Sequence, residues 1–243
     1  MGTLFAEKRS GDARTKLMAG ILFIISAPSG SGKSTLVSQL RTLVEGLDFS
    51  ISYTTRAPRG SEENGREYHF TTCDEFQRMV KAGEFLEWAE VFGNFYGTAR
   101  AALSHAESQG KDLLLDIDVQ GAQQVIERLP EAVSIFILPP NPETLQKRLR
   151  NRSQAEKMTD EDVIERRLSQ ARNELQQIWK YKYALVNDVL DNAVDEMRAI
   201  VLSERGLNGG IAKMAKSCRT DIASQRLDAA LRSFGVASAG SAQ

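Results

Sequence analysis

The sequence predicts an α/β fold built around a parallel sheet. Two observations carry that expectation: short, nearly continuous apolar segments recur between helical patterns, and the first of them runs through a glycine-rich loop into a helix start. Strands buried on both faces show apolar runs instead of alternation. Four segments qualify: Ile21–Ala27, Leu113–Val119, Val133–Leu138 and Tyr183–Val186. Helices are expected over Lys33–Gly46, Val119–Leu129, Pro142–Arg152, Thr159–Tyr181 and Ala193–Glu204.

In chain order, the run Ile21-Leu22-Phe23-Ile24-Ile25 leads into Ala27-Pro28-Ser29-Gly30-Ser31-Gly32-Lys33-Ser34 and then Thr35-Leu36-Val37. This is the pattern of a phosphate cradle. Glycines let backbone N–H groups close round phosphate oxygens and the helix N-terminus adds positive potential; Lys33 reaches the terminal phosphates and Ser34 offers a hydroxyl to Mg²⁺. Ala27 stands where G-x-x-x-x-G-K-[ST] has its first Gly, so it is expected to avoid a positive φ. A chance Gly/Ser turn would not be bracketed by a buried strand and a helix start.

The stretch from Ser50 to about Thr98 has a different character. Short alternating segments, Glu67-Tyr68-His69-Phe70 and Glu84-Phe85-Leu86-Glu87-Trp88, are broken by Pro58, Gly60, Gly65, Gly83, Gly93 and Gly97. It reads as a small mixed-β lobe inserted into the α/β core, with Trp88 expected in a core. After the third core strand, Asn141 can cap a helix, Pro142 suits its first position and Glu143 its positive end. Thr159-x-x-Asp162 opens the next helix, on which Ile164, Leu168, Ala171, Leu175 and Ile178 form an apolar stripe. A short, polar, highly charged insertion spans roughly 150–160. Beyond Gly206, an amphipathic helix is expected over Asp221–Phe234, with Leu227, Leu231 and Phe234 packing on the body, and the small-residue end from Ala237 is expected to be disordered.

Composition narrows the classes. The chain has 243 residues, 42% apolar and 26% charged, with a formal net charge of −1. No bulk electrostatic case for nucleic acid or an anionic membrane follows, so anion binding must come from local Arg and Lys. No apolar run spans a bilayer, and the first twenty residues, with Lys8, Arg9, Asp12, Arg14 and Lys16, lack a secretory h-region. Cys73 and Cys218, far apart, suggest reduced thiols and a cytoplasmic location. No Cys/His spacing suggests zinc, and His69 and His105 are assigned no chemistry.

The second informative run is Ser52-Tyr53-Thr54-Thr55-Arg56-Ala57-Pro58-Arg59-Gly60-Ser61-Glu62-Glu63-Asn64-Gly65-Arg66-Glu67-Tyr68. Its T-T-R-x-P-R-x-x-E-x-x-G-x-x-Y pattern, at Thr54, Thr55, Arg56, Pro58, Arg59, Glu62, Gly65 and Tyr68, closely resembles that of the guanylate kinase family. The resemblance covers roughly residues 20 to 205. It implies a P-loop three-layer core with a parallel sheet, an inserted mixed-β GMP-binding lobe and a short helical lid, and phosphorylation of GMP by MgATP to give GDP and ADP. The implied boundaries are an N-terminal extension over 1–19, core segments 20–49, 99–149 and 173–205, a lobe over about 50–98, a lid over about 150–172 and a C-terminal extension over 206–243.

The residue chemistry suits those roles. Arg56 and Arg59, with Pro58 stiffening the backbone between them, supply forked donors for a dianionic phosphate, and Tyr68 and Tyr96 supply hydroxyls. By resemblance these four hold the GMP phosphate, and Glu62 stands beside them, placed to orient an arginine. Guanine offers O6 as acceptor and N1–H and N2–H₂ as donors, so a carboxylate and a hydroxyl read it. Glu87 resembles the family's base-reading carboxylate, Ser52 and Thr98 its hydroxyl positions, and Asp118 adds a second acceptor. Asp116, ending an apolar strand, is placed to reach Mg²⁺ directly or through water.

Arg148 and Arg152 share a helix face, and Arg167 and Arg172 follow on the next helix. By resemblance these four serve the donor phosphates, the transferring group and the adenine side. Lys33, Arg56, Arg148, Arg152 and Arg167 are the expected catalytic set. On a straight helix Arg167 and Arg172 point about 140° apart, so spacing alone does not bring both to the reacting atoms. Arg150 and Arg166 are expected to be solvated, and Asn187 resembles the adenine-contacting position. The expected partners are GMP and ATP, with Mg²⁺ carried as MgATP. Two other readings are a catalytically inactive protein-binding domain of the same fold and a kinase for another small phosphate acceptor. The retained Lys33, Ser34, Arg56, Arg59 and Asp116 argue against the first, and Glu87 with Ser52 against the second.

Overall fold

The computed structural model describes residues 20–155 and 161–237, without the side chains of 152–155. The expected N-terminal extension, the Thr159 helix start, the Arg152 side chain and the final residues from 238 lie outside the described set.

Five strands form a parallel sheet in the order β2-β7-β1-β8-β9: β1 (Leu22–Ser26), β2 (Leu47–Phe49), β7 (Asp112–Asp116), β8 (Val133–Leu138) and β9 (Tyr183–Val186). The four expected strands are there, trimmed by a residue or more where the apolar run extends past the paired segment. β2 was not foreseen, because Leu47-Asp48-Phe49 is too short and too polar to register as a buried run. Its strand character comes from pairing with β7.

Residues along the central strands alternate between two apolar layers. Ile24, Phe136 and Leu138 face a cluster with α4 (Val119–Arg128), α5 (Pro142–Ala155) and α6 (Glu161–Leu175); Phe23, Ile25, Ile135 and Ile137 face one with α1 (Lys33–Leu43) and α7 (Leu190–Glu204). The pleat sends successive side chains to opposite faces, so continuous apolar strands require helices on both sides. That gives the three-layer core. Each fully buried Leu, Ile or Phe contributes on the order of 1.5–3 kcal/mol relative to exposure.

Between β2 and β7 the chain builds a second, mixed sheet in the order β4-β3-β6-β5, from β3 (Tyr53–Thr54), β4 (His69–Phe70), β5 (Phe85–Val91) and β6 (Asn94–Ala99). β3 and β4 pair in parallel and the other pairs are antiparallel. Its own core is Phe76, Met79 and Phe85, with Phe76 stacked on Phe85 at 4.5 Å between ring centroids. Two helices here were not foreseen, α2 (Cys73–Lys81) and α3 (Arg100–Ser108). For α2 the signal was present: Thr72 accepts from Glu75 N, Asp74 and Glu75 sit at the positive end, and Arg78 and Lys81 at the negative end.

The last segment is part of the body. After α8 (Gly210–Ser217), Cys218 O accepts from Ala184 N and Thr220 N donates to Lys182 O, so the chain covers the open edge of β9. α9 (Gln225–Ser233) then buries Leu227, Leu231 and Phe234 in the main core, as the amphipathic pattern predicted. Leu231→Ala is expected to cost about 2–5 kcal/mol in urea unfolding, as for any fully buried leucine; a loss under about 0.5 kcal/mol would mean that this helix is not core.

Candidate active site

A cleft of about 700 Å³ opens where the parallel strands end. It is bordered by residues following β1, β7 and β9 and, across from them, by the small sheet. Carboxyl ends of parallel strands are where α/β sheets bind ligands, because the loops there diverge.

Between β1 and α1 the loop turns on Gly30 and Gly32, whose φ values are 87° and 88°. A Cβ on Gly32 would lie 2.4 Å from Asn187 Nδ2, so no side chain fits. Ala27 is not in the left-handed region, as its place in the motif required; among the described residues Phe92 is the one non-glycine with positive φ. Gly32 provides no side-chain cap for α1, which leaves the first-turn N–H groups to an anion. The whole stretch from Ala27 to Thr35 borders the cleft.

Contacts from distant parts of the chain hold the loop in shape. Asn187 Nδ2 donates to Ser31 O at 2.8 Å, Arg148 Nη1 donates to the same oxygen at 3.3 Å, and Arg148 Nη2 donates to Asn187 O at 3.0 Å. Both residues border the cleft, yet their side-chain hydrogen bonds go to the loop and to each other. Lys33 Nζ donates to Ile117 O at 2.8 Å and is ion-paired with Asp116, which orients the ammonium group beside the end of β7.

On the far wall, Arg59, Tyr68 and Tyr96 border the cleft. Arg56 lies just behind, buried, with Nη2 donating to both Glu62 oxygens at 3.0 and 2.9 Å, Nη1 donating to Ala57 O at 2.8 Å, and its guanidinium 5.3 Å from the Tyr68 ring. Glu62 therefore does orient an arginine, and it also accepts from Arg59 N at 2.8 Å. Burial, joined by the Asp116 charge, raises the Tyr68 phenol above its ordinary range, so it remains a donor at neutral pH.

Deeper in the small sheet, Glu87 is 2% exposed. A register shift between Phe85 and Glu87 turns Glu87 inward opposite Thr98. The same bulge puts Trp88 outside, 36% exposed, where the sequence pattern had suggested core. Burial pushes the Glu87 carboxyl up to about 7; Thr98 and Arg128 oppose the shift and Asp118 adds to it. Ser52 and Asp118 border the cleft beside Glu87, while Thr98 is buried behind it. Gly121 is required here, since its Cβ would stand 2.3 Å from Glu87 Oε2.

α6 brings Arg167, buried, to the cleft, whereas Arg172 is exposed and does not border it. Their angular separation on the helix accounts for the difference. Arg150 and Arg166 are exposed, as expected. Gln170, Glu174 and Phe92 are among the cleft residues that were not foreseen. Gln170 and Glu174 flank the apolar stripe of α6 one turn apart, a boundary position that marks polar groups drawn partly inside. Gln170 Nε2 donates to Glu174 at 2.7 Å, and burial pushes the Glu174 carboxyl up to about 7. Phe92, at the β5–β6 turn, presents its ring to the Arg166 and Arg167 guanidinium groups, each at 5.9 Å.

Comparison with known proteins agrees with this geometry. Residues 20–204 match the family model described as guanylate kinase. The guanylate kinase of Koribacter versatilis is 53% identical over 226 residues, 89% of this chain and 97% of that protein; that of Dechloromonas aromatica is 49% identical over 194 residues, 79% and 93% of the two. The crystal structure of guanylate kinase from Anaplasma phagocytophilum superposes with a TM-score of 0.64 at 33% identity, covering 82% of this chain and 95% of that one.

Glu87 has a consequence for stability that needs no ligand. Its folded pKa of about 7 exceeds the ordinary 4.5, so its contribution is fully present below about 4.5 and is lost as pH rises through about 7. Glu87→Gln removes that loss and is expected to be more stable than the parent at pH 8, by on the order of 1–3 kcal/mol, with little gain at pH 4.5. Urea unfolding at the two pH values checks it; an equal difference at both would refute the buried-carboxylate account.

Proposed function

The chain belongs to the guanylate kinase family of ATP:GMP phosphotransferases, and we propose that the two walls of its cleft divide that reaction, with ATP along the phosphate loop and GMP in the small sheet. One observation carries the assignment: a single cleft is bordered at once by the whole phosphate loop, by Arg59, Tyr68, Tyr96 and Glu87, and by Arg148 and Arg167. Two anion sites sharing one cavity suit phosphoryl transfer between two nucleotides.

On the ATP wall, the first-turn N–H groups of α1 and the Lys33 ammonium take the phosphate chain, which replaces Asp116 as the counter-charge of Lys33. Asn187 and Arg148 support the loop from behind and face the adenine side. Mg²⁺ fits the donor set: it keeps several waters and phosphate oxygens and asks the protein for one or two oxygen ligands, here the Ser34 hydroxyl and the Asp116 carboxylate, both at the cleft. When bound, the ion would neutralise charge on the phosphates.

On the GMP wall, Arg59, Tyr68 and Tyr96 donate to the 5′-phosphate, and Arg56, clamped by Glu62, completes the positive field. Glu87 accepts from guanine N1–H and N2–H₂, with Ser52 and Thr98 as hydroxyls toward O6 and Asp118 as a second acceptor. The guanine donors supply what burial denies the Glu87 carboxylate, so binding pulls its pKa back down. An adenine would leave that carboxylate unpaired, and rejection follows from the cost of an unmade buried hydrogen bond.

A GMP phosphate oxygen then attacks the γ-phosphorus in line, and the bond to the β-phosphate oxygen breaks to leave ADP. The transition state needs positive groups and the absence of water more than it needs a base. Arg148 and Arg167 provide the first. Closing of α6 over the cleft provides the second. Arg172, exposed, acts at most after such a closure.

In a coupled assay with GMP and MgATP, the protein is expected to release ADP only when GMP is present; turnover of AMP or UMP equal to that of GMP would defeat the base-reading role of Glu87. Lys33→Ala is expected to lose about 3–4 kcal/mol of transition-state stabilisation, roughly 10²–10³ in kcat, while keeping its fold. Arg56→Ala is expected to weaken GMP binding in calorimetry by about 2–3 kcal/mol with ATP binding unchanged; unaltered GMP affinity would contradict its assignment.

A further inference from the structure

The cleft is braced by a residue beyond the end of the family match, which stops at residue 204. Arg226, in the first turn of α9, donates from Nη2 to Val186 O and to Asp188 Oδ1, the latter at 2.6 Å, and from Nη1 to Glu196 on α7. Val186 and Asp188 flank Asn187 in sequence. Asn187 in turn holds the phosphate loop through Ser31 O at 2.8 Å and is itself anchored to Leu138 O at 2.8 Å through its backbone N–H.

Position matters closely at this point. The space where Gly32 lacks a Cβ is filled by Asn187 Nδ2, so the turn after β9 and the phosphate loop interlock. A shift of that turn by a few tenths of an ångström would either free Ser31 O or press on Gly32. Arg226 fixes the turn through one backbone oxygen and one carboxylate within three residues, and ties both to α7. Its planar fork presents these donors from two nitrogens in a fixed geometry, whereas an ammonium group is a compact point charge on a flexible stem.

Docking of α9 does not need these bonds. Leu227, Leu231 and Phe234 are 5%, 0% and 6% exposed and already seat the helix in the main core. Two charge-assisted bonds directed at the cleft turn, with a third to α7, therefore call for another account. We infer that Arg226 is a positioning residue for the ATP wall, which sets the turn carrying Asn187 and, through Ser31 O, the shape of the phosphate loop. The inference rests on the reading that this loop seats ATP.

The test uses the full chain, with calorimetric titration of Mg²⁺ and a non-hydrolysable ATP analogue alongside KM for ATP and for GMP. Arg226→Ala is expected to weaken analogue binding and raise KM for ATP roughly tenfold, the scale of one lost charge-assisted hydrogen bond, with KM for GMP within about twofold. Arg226→Lys is expected to fall between. Leu231→Ala, which loosens the same helix without touching the turn, is expected to lower Tm while leaving the ATP constants unchanged. Wild-type ATP constants in Arg226→Ala would overturn the inference, as would parallel shifts in ATP and GMP constants that track Tm across all three variants. If Arg226→Ala does not fold, Arg226→Lys decides, and an unchanged analogue affinity there refutes the proposal. Failure of the wild type to phosphorylate GMP would strike the functional reading instead, since the analogue titration reads Arg226 without turnover.

Discussion

One carbonyl oxygen, that of Ser31, is where the separate parts of the site meet. It accepts from Asn187 Nδ2 and from Arg148 Nη1, so the end of β9 and the middle of α5 both hold the loop between β1 and α1. A loop whose glycines sit at φ near 90° is permissive and entropically costly to hold. Tethering its middle carbonyl from two sides removes that freedom before any phosphate arrives. Preorganisation of this kind lowers the ordering cost at binding. The position of Lys33 follows from the same anchoring, because the helix it opens begins where the tethered turn ends.

The opposite wall is governed by a different constraint, the burial of charge. Arg56 is kept in place by both oxygens of Glu62, so a positive group behind the cleft has its compensation built in. Among the described residues Glu87 forms no comparable ion pair, and burial drives its carboxyl toward neutrality. A group held that far from its solution pKa destabilises the empty protein at neutral pH and is relieved by a ligand that brings donors. The guanine-reading role proposed for Glu87 and reduced stability of the empty protein would thus both follow from one desolvated carboxylate.

Between the walls, the contact of Phe92 with the Arg166 and Arg167 guanidinium groups links the hairpin tip of the small sheet to α6. The ring reaches them from a backbone with φ 51°, a conformation costly for an aromatic residue. The small sheet and the arginine-bearing helix, which both border the cleft, therefore touch at a strained turn.

Much of this was legible from residues alone. Apolar runs located four of five core strands, since burial on both faces leaves no alternation to mistake. Spacing marked Lys33, Ser34, Arg59 and Tyr68, which border the cleft, and Arg56, which lies just behind it. β2 escaped because three residues carry too little pattern, and α2 because its capping residues were read as part of a β-rich stretch. Composition and local order thus determined which chemical groups this protein owns and along which elements they run. Only the tertiary structure decided which of them face the cleft: a single bulge turned Glu87 in and Trp88 out, the helical screw brought Arg167 in and left Arg172 outside, and Arg226 came to brace a turn 40 residues away. Side-chain direction depends on packing against distant segments, and nothing local in a chain encodes it.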